Sequence, residues 1–256
     1  MNIPLDFRPL GCSECANGAA LGFDFSMAFQ PIVDAASGSV FAHEALARGL
    51  EGQSAATVFR HVTDQNRYRF DQTCRVKAIQ LAAHLAMPCR LSINFMPNAV
   101  YKPELCIRTT LRAAEQFSFP VERIIFEITE GEKIQDHAHL REIIQHYQSV
   151  GFLTAIDDFG AGYSGLNLLA EFQPNLVKLD MALIRNIHQD KIRQAIVRGI
   201  LLVCEEMDIQ VIAEGIEHSQ EYHVLWDFGV RLFQGYFFAK PAFEALAPVS
   251  PQAYVR

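Results

Sequence analysis

Residues 123–158 read RIIFEITEGEKIQDHAHLREIIQHYQSVGFLTAIDD. Two runs within this stretch, Arg123–Ile128 and Phe152–Ile156, are rich in β-branched and aromatic residues and too short for helices. Between them, Lys133–Val150 carries apolar residues at three- and four-residue spacing, the period of an amphipathic helix. Strand, helix and strand in that order form a crossover unit, and such a unit pairs its strands in parallel.

The alternation continues in both directions. Met27–Val33, Val40–Ala47 and Arg90–Phe95 read as strands upstream, and Leu176–Leu179, Gln210–Ala213 and Val230–Phe233 downstream, which makes eight. Asp71–Met87, Pro103–Phe117, Asp190–Met207 and Ser219–Phe228 supply further helices. Eight strands with helices between them, in 256 residues, suit a TIM-type (β/α)8 barrel. One junction departs from that plan. Only Asp34–Ala35–Ala36–Ser37–Gly38–Ser39 separates the first two strands, too little for a crossover helix, so the first strand should run antiparallel. The expected fold class is therefore α/β, a barrel with an antiparallel first strand over residues 26–256, preceded by an extension over residues 1–25.

Composition narrows the function classes. Half the residues are apolar and 20% charged, which suits a compact domain. A formal charge of −7 argues against long nucleic acid, whose binding needs clustered Lys and Arg to displace counterions. A small anion stays admissible, because bound cations reverse the sign of an acidic pocket. No run reaches the ~18–20 apolar residues of a membrane span. The opening MNIPLDFRPLGCSEC lacks a basic segment followed by an apolar core, so a cytoplasmic location is expected. Six cysteines are too sparse for a disulfide scaffold and are expected reduced. Cys12 and Cys15 form a CxxC pair with no second pair following, which reads either as half of a zinc or redox site or as two incidental thiols.

Polar residues stand at the ends of most strands: Asn94 in LSINF, Glu127 after RIIF, Asp157 and Asp158 after LTAI, Glu214 after VIA, Gln234 after RLF. Glu44 and Lys178 lie within VFAHEALAR and NLVKLD. In an α/β barrel these ends converge on one mouth. Singly, each carboxylate reads as a loop or capping residue. Together, five carboxylates and an amide would repel unless cations neutralised them, and all-oxygen ligands favour hard ions such as Mg²⁺ or Mn²⁺. His137 and His139, two apart on a helix, point in different directions and read as surface residues. Phe237 and Phe238 fit either a base-stacking or a packing role.

The string FQPIVDAASGSVFAHEALARG, with Glu44–Ala45–Leu46 inside it, resembles the opening of EAL domains. The resemblance continues through SINFMP, FEITE, AIDDFGAGYSGL, PNLVKLD, VIAEGIE and QGYFFAKP, over about residues 26–243. It implies a cyclic di-GMP phosphodiesterase that produces linear 5′-pGpG. It implies Glu44, Asn94, Glu127 and Asp157 on one Mg²⁺ or Mn²⁺ and Asp157, Asp158 and Glu214 on a second. Lys178 and Gln234 would lie beside the attacking water, so that Glu44, Lys178, Glu214 and Gln234 carry catalysis. Gln30 and Arg48 would contact guanine and phosphate, with Asn94, Asp158, Lys178 and Gln234 also facing the substrate. Thr129, Glu130 and Ser164 would anchor the glycine-rich loop, and the family implies a homodimer. Ala161 and Gly165 depart from the threonine and serine usual in that loop. Two other function classes remain open on the residues: a cyclic di-GMP receptor without turnover, and a barrel glycosidase using Glu127 and Glu214.

Overall fold

The computed structural model describes residues 21–97, 100, 102–129, 136–162 and 165–249; Cys12, Cys15, Glu130 and Ser164 lie outside them. Eight strands close a barrel: β1 (Ser26–Asp34), β2 (Ser39–Arg48), β3 (Arg90–Phe95), β4 (Ile124–Thr129), β5 (Leu153–Phe159), β6 (Leu176–Leu179), β7 (Gln210–Ala213) and β8 (Leu232–Gln234). β2 to β8 pair in parallel, whereas β1 is antiparallel to both β2 and β8. A ninth strand, β9 (Ala242–Phe243), adds to β1. The short connection, four residues from Ala35 to Gly38, dictates the reversed first strand, with pairing from Ser26↔Arg48 to Asp34↔Ser39.

The interior is layered by the two-residue period of the strands. Ile32, Ala42, Ile125, Ala155, Leu176, Ile212 and Leu232 form a small apolar plug, separate from the larger core outside the wall. Two residues along each parallel strand from that plug stand Glu44, Glu127, Asp157, Lys178, Glu214 and Gln234. On the reversed β1 the same step runs backwards, from Ile32 in the plug to Gln30 in the polar layer. Ser92 occupies the plug level of β3, with Asn94 two residues on. The plug excludes water from the barrel floor and leaves the polar layer facing the mouth.

Several boundaries differ from the sequence reading. The Pro103–Phe117 segment is two helices, Pro103–Cys106 and Arg108–Gln116, with a turn at Ile107. The helix expected from Lys133 is described from His137, where the Asp136 carboxylate accepts from the His139 amide at 3.0 Å. Short helices at Ala55–Phe59, Gly165–Glu171 and Met181–Ile184 give too few turns for a periodic signal. Cys106 and Cys204 are buried, while Cys74 and Cys89 are only partly so.

Candidate metal centre

The end of β5 departs from regular pairing. Ile156 pairs with Val177 and Phe159 with Leu179, so β5 spends three residues where β6 spends two. This is a bulge, and Asp158 within it takes φ +54°, a left-handed conformation that aspartate tolerates better than most residues. The bulge turns two consecutive carboxylates to the mouth, where a regular strand would present one. Asp158 donates its amide to Asp157 Oδ1 at 3.0 Å.

Around this bulge the polar layer closes into a network. Lys178 Nζ is buried and lies 2.6 Å from Glu214 Oε1, 2.9 Å from Glu127 Oε2, 3.0 Å from Asp157 Oδ1 and 3.5 Å from Glu44 Oε2. Asn94 Nδ2 donates to Glu44 Oε1 and Gln234 Nε2 to Glu44 Oε2, each at 2.8 Å. Ser92 Oγ donates to Glu127 Oε1 at 2.6 Å.

Burial alone would discharge Lys178, but Asp157, Glu127, Glu214 and Glu44 reverse that and hold its pKa well above the ordinary lysine value. Burial pushes the Glu127 and Glu214 carboxyls well above the usual range, and the neighbouring carboxylates add to the shift against the pull of Lys178. Burial, then Asp157, pushes Asp158 up to about 6. Fully ionised, five carboxylates against one ammonium would leave four negative charges uncompensated, the charge that two divalent cations carry, and without such cations the raised carboxyls relieve the repulsion by holding protons. The donor set fits them. Ligand oxygens of Glu44, Glu127 and Asp157 lie within 4.8 Å of one another, as do those of Asp157, Asp158 and Glu214, and Asp157 belongs to both groups. Gln234 Oε1 is buried and has no hydrogen-bond partner among the described residues, while its Nε2 is bound to Glu44 in the same layer.

A cleft of about 350 Å³ opens above, lined by Gln30, Glu44, Asp158, Glu214 and Gln234. Asp180, Met181, Glu217 and Tyr236 line it too and were not singled out from sequence; Asp180 ends the PNLVKLD stretch, which was its available signal. Ser92 was also missed, although it stands one strand period before Asn94. Arg48 sits at the far end of β2 and donates through Nη1 to the Ala47 carbonyl at 2.8 Å. Thr129 ends β4 and pairs through the backbone with Asp157. His137 meets Glu171 at 2.8 Å and His139 meets the Val100 carbonyl at 2.5 Å, so the two diverge. Phe238 is buried in an aromatic cluster with Tyr222, Phe233 and Phe237, which gives that pair a packing role.

Among known proteins, the family model "EAL domain" matches residues 18–241. The solved structure of a standalone versatile EAL protein from Vibrio cholerae O395, in its c-di-GMP bound form, superposes with a TM-score of 0.90 at 55% identity, covering 93% of this chain and all of that one. The Klebsiella pneumoniae BlrP1 complex with manganese and cy-diGMP at pH 9.0 superposes with a TM-score of 0.84 at 35% identity, over 89% of this chain and 58% of that one. Among curated relatives, the Escherichia coli blue light- and temperature-regulated antirepressor BluF is 33% identical over 93% of this chain. The Pseudomonas aeruginosa cyclic di-GMP phosphodiesterase RocR is 30% identical over 62% of it. The chain spans 59% of BluF and 40% of RocR. Because the family model matches residues 18–241, nearly the whole barrel, the chain belongs to the EAL domain family.

Proposed function

We propose that this chain hydrolyses cyclic di-GMP to linear 5′-pGpG, using two Mg²⁺ or Mn²⁺ ions. The observation that carries the reading is the pair of acidic groups sharing Asp157 around one buried lysine. Glu44, Asn94, Glu127 and Asp157 would hold one ion, and Asp157, Asp158 and Glu214 the other. Such a pair supplies a nucleophile at neutral pH and charge stabilisation for in-line displacement at phosphorus.

The chain's own residues supply the rest. Lys178 keeps a positive charge under the cleft, where negative charge develops on the phosphoryl oxygens. Gln234 spends its Nε2 on Glu44 and leaves Oε1 to accept a proton donor, which suits orientation of an attacking water. Glu44 carries two donated hydrogen bonds, so both its oxygens are fixed before any ligand arrives. Gln30 lies on the cleft wall for a guanine edge, and Arg48 reaches a phosphate once it leaves the Ala47 carbonyl. Thr129, Glu130 and Ser164 keep their proposed role as anchors of the glycine-rich loop that follows β5. The proposal extends to cyclic di-GMP as the small-molecule partner, to a cytoplasmic homodimer, and to a division into a 1–25 extension and a 26–256 barrel. No helix among the described residues is long and apolar enough to cross a membrane.

The bound ligands of the V. cholerae and K. pneumoniae structures, c-di-GMP in both, support the substrate assignment. The glycosidase reading fails on exposure: Glu127 is 0% exposed beneath Lys178 and cannot reach a sugar. A receptor without turnover is the second reading, favoured by the similarity to a relative named as an antirepressor. Measuring binding and turnover on one preparation separates the two. Calorimetry with cyclic di-GMP in Ca²⁺ should give binding, and exchange into Mn²⁺ should give turnover. Binding without turnover in Mn²⁺ selects the receptor, and absence of binding overturns the ligand assignment.

A further inference from the structure

Behind the metal centre, outside the barrel wall, Arg75 on the Arg67–His84 helix is 0% exposed. Its Nη1 donates to the Tyr147 hydroxyl at 3.0 Å, and Nη2 lies 2.6 Å from Asp71 Oδ2. Its guanidinium carbon is 5.1 Å from the Phe126 ring centre, 5.5 Å from that of Phe95 and 5.9 Å from that of Tyr147. Phe95 directly follows Asn94, and Phe126 directly precedes Glu127. Side chains alternate across a strand, so Arg75 bears on the outer face of β3 and β4 at the level where their inner face carries Asn94 and Glu127. The other oxygen of Asp71 accepts from the amide of Met96, the first residue beyond β3, at 3.1 Å.

Stability alone accounts poorly for this arrangement, since apolar residues of similar volume often fill such a space at least as well as a buried ion pair does. What the pair adds is direction: a fixed bond to the backbone at Met96 and a flat cation stacked on two strand residues. We propose that Arg75, with Asp71, is a positioning residue that fixes the ends of β3 and β4 from outside the barrel and so sets the spacing of Asn94 and Glu127. Its functional consequence rests on the metal-centre reading above.

The test compares Arg75→Met, Arg75→Lys, Asp71→Asn and Tyr147→Phe in the full chain. Val197→Ala, at another 0% exposed position on a different helix, serves as a stability control. Calorimetry gives Mn²⁺ affinity, cyclic di-GMP hydrolysis gives kcat and KM, and hydrogen exchange reports on the Met96 amide. Arg75→Met and Asp71→Asn should bind Mn²⁺ about 10–100-fold more weakly, the usual cost of losing a group that supports metal ligands. They should lower kcat with KM nearly unchanged at saturating metal, and speed exchange at Met96. Arg75→Lys should recover part of the loss. Val197→Ala should lower Tm and leave Mn²⁺ affinity alone. If Arg75→Met does not fold, Asp71→Asn and Tyr147→Phe, which conserve volume, carry the comparison. Unchanged Mn²⁺ affinity in folded Asp71→Asn and Arg75→Met, or an equal loss in Val197→Ala, overturns the proposal. If the wild type itself takes up no Mn²⁺, the metal-centre reading falls, and unchanged exchange at Met96 in the variants then overturns the positioning role as well.

Discussion

Lys178 competes for the carboxylates it neutralises, and this gives its replacement an unusual signature. Removing it takes away a positive charge that lies within 3.5 Å of four carboxylates, so Lys178→Ala should bind Mn²⁺ at least as tightly as the wild type. Turnover should nonetheless fall about 10²–10³-fold, because a charge aimed at the transition state matters chiefly there. Glu44→Ala should behave differently, losing metal and turnover together while Asn94 and Gln234 lose their shared acceptor. Calorimetry with Mn²⁺ and single-turnover rates check both variants, and equal weakening of metal in the two would contradict the assigned roles. Most of this layer was legible in the sequence because each residue lies within or just after a recognisable strand. The spacing within the layer was not, since it depends on how eight strands stagger around the barrel and on the bulge that turns both Asp157 and Asp158 to the mouth. Ser92 went unread for a related reason: a serine inside a strand carries no signal until Glu127 is seen beside it.

At the scale of elements, the junction after β7 is held by one carboxylate. Glu221, nearly fully buried, accepts from the Asn186 amide at 2.8 Å and from the Glu217 and His218 amides at 3.1 Å each. It thereby ties the loop that follows Glu214 to the loop before the Lys191–Glu206 helix. Burial pulls its pKa up, yet the three amides outweigh that and hold it below the ordinary value. A depressed folded-state pKa stabilises the fold above the unfolded carboxylate pKa, near 4.3, and that contribution disappears as pH falls through the lower folded value. Glu221→Gln should therefore cost about 1–3 kcal/mol at pH 7, and the gap to wild type should shrink at pH 3. Urea unfolding at the two pH values measures it; a gap that does not change with pH would contradict the charge-based account. The sequence disclosed the long strands and helices through their periodicity, and the hairpin through its length. β9 and the turn at Ile107 escaped, since two residues of strand and one of turn leave no period to detect.

At the scale of the whole molecule, one helix face is left uncovered among the described residues. Ile192, Ile196 and Leu202 on the Lys191–Glu206 helix are 74%, 46% and 59% exposed, and they line up with Gly199, beside which no described residue approaches. An antiparallel copy of the same helix would bring Gly199 against Gly199, Ile196 against Leu202, and the exposed Lys191 near Glu206. The proposed homodimer is expected to use this face. Ile196→Glu should shift the chain to monomer in sedimentation, while a wild-type chain that is monomeric at micromolar concentration would remove the need for a partner there. Any link from such a dimer to the mouth runs through elements already described, since Asp190 caps this helix and the preceding loop is tied to Glu221.

The acidic layer, filled with divalent metal, is expected to open a cyclic dinucleotide. Incubation of the full chain with cyclic di-GMP and Mg²⁺ or Mn²⁺, followed by chromatography of the products, tests it most directly. Linear pGpG should accumulate with either ion, stop after exhaustive chelation, resume when Mn²⁺ is restored, and fail with Ca²⁺, whose longer bonds and larger coordination number do not hold a water in line. Intact cyclic di-GMP in the presence of Mg²⁺ and Mn²⁺, or full turnover after chelation, would contradict the account.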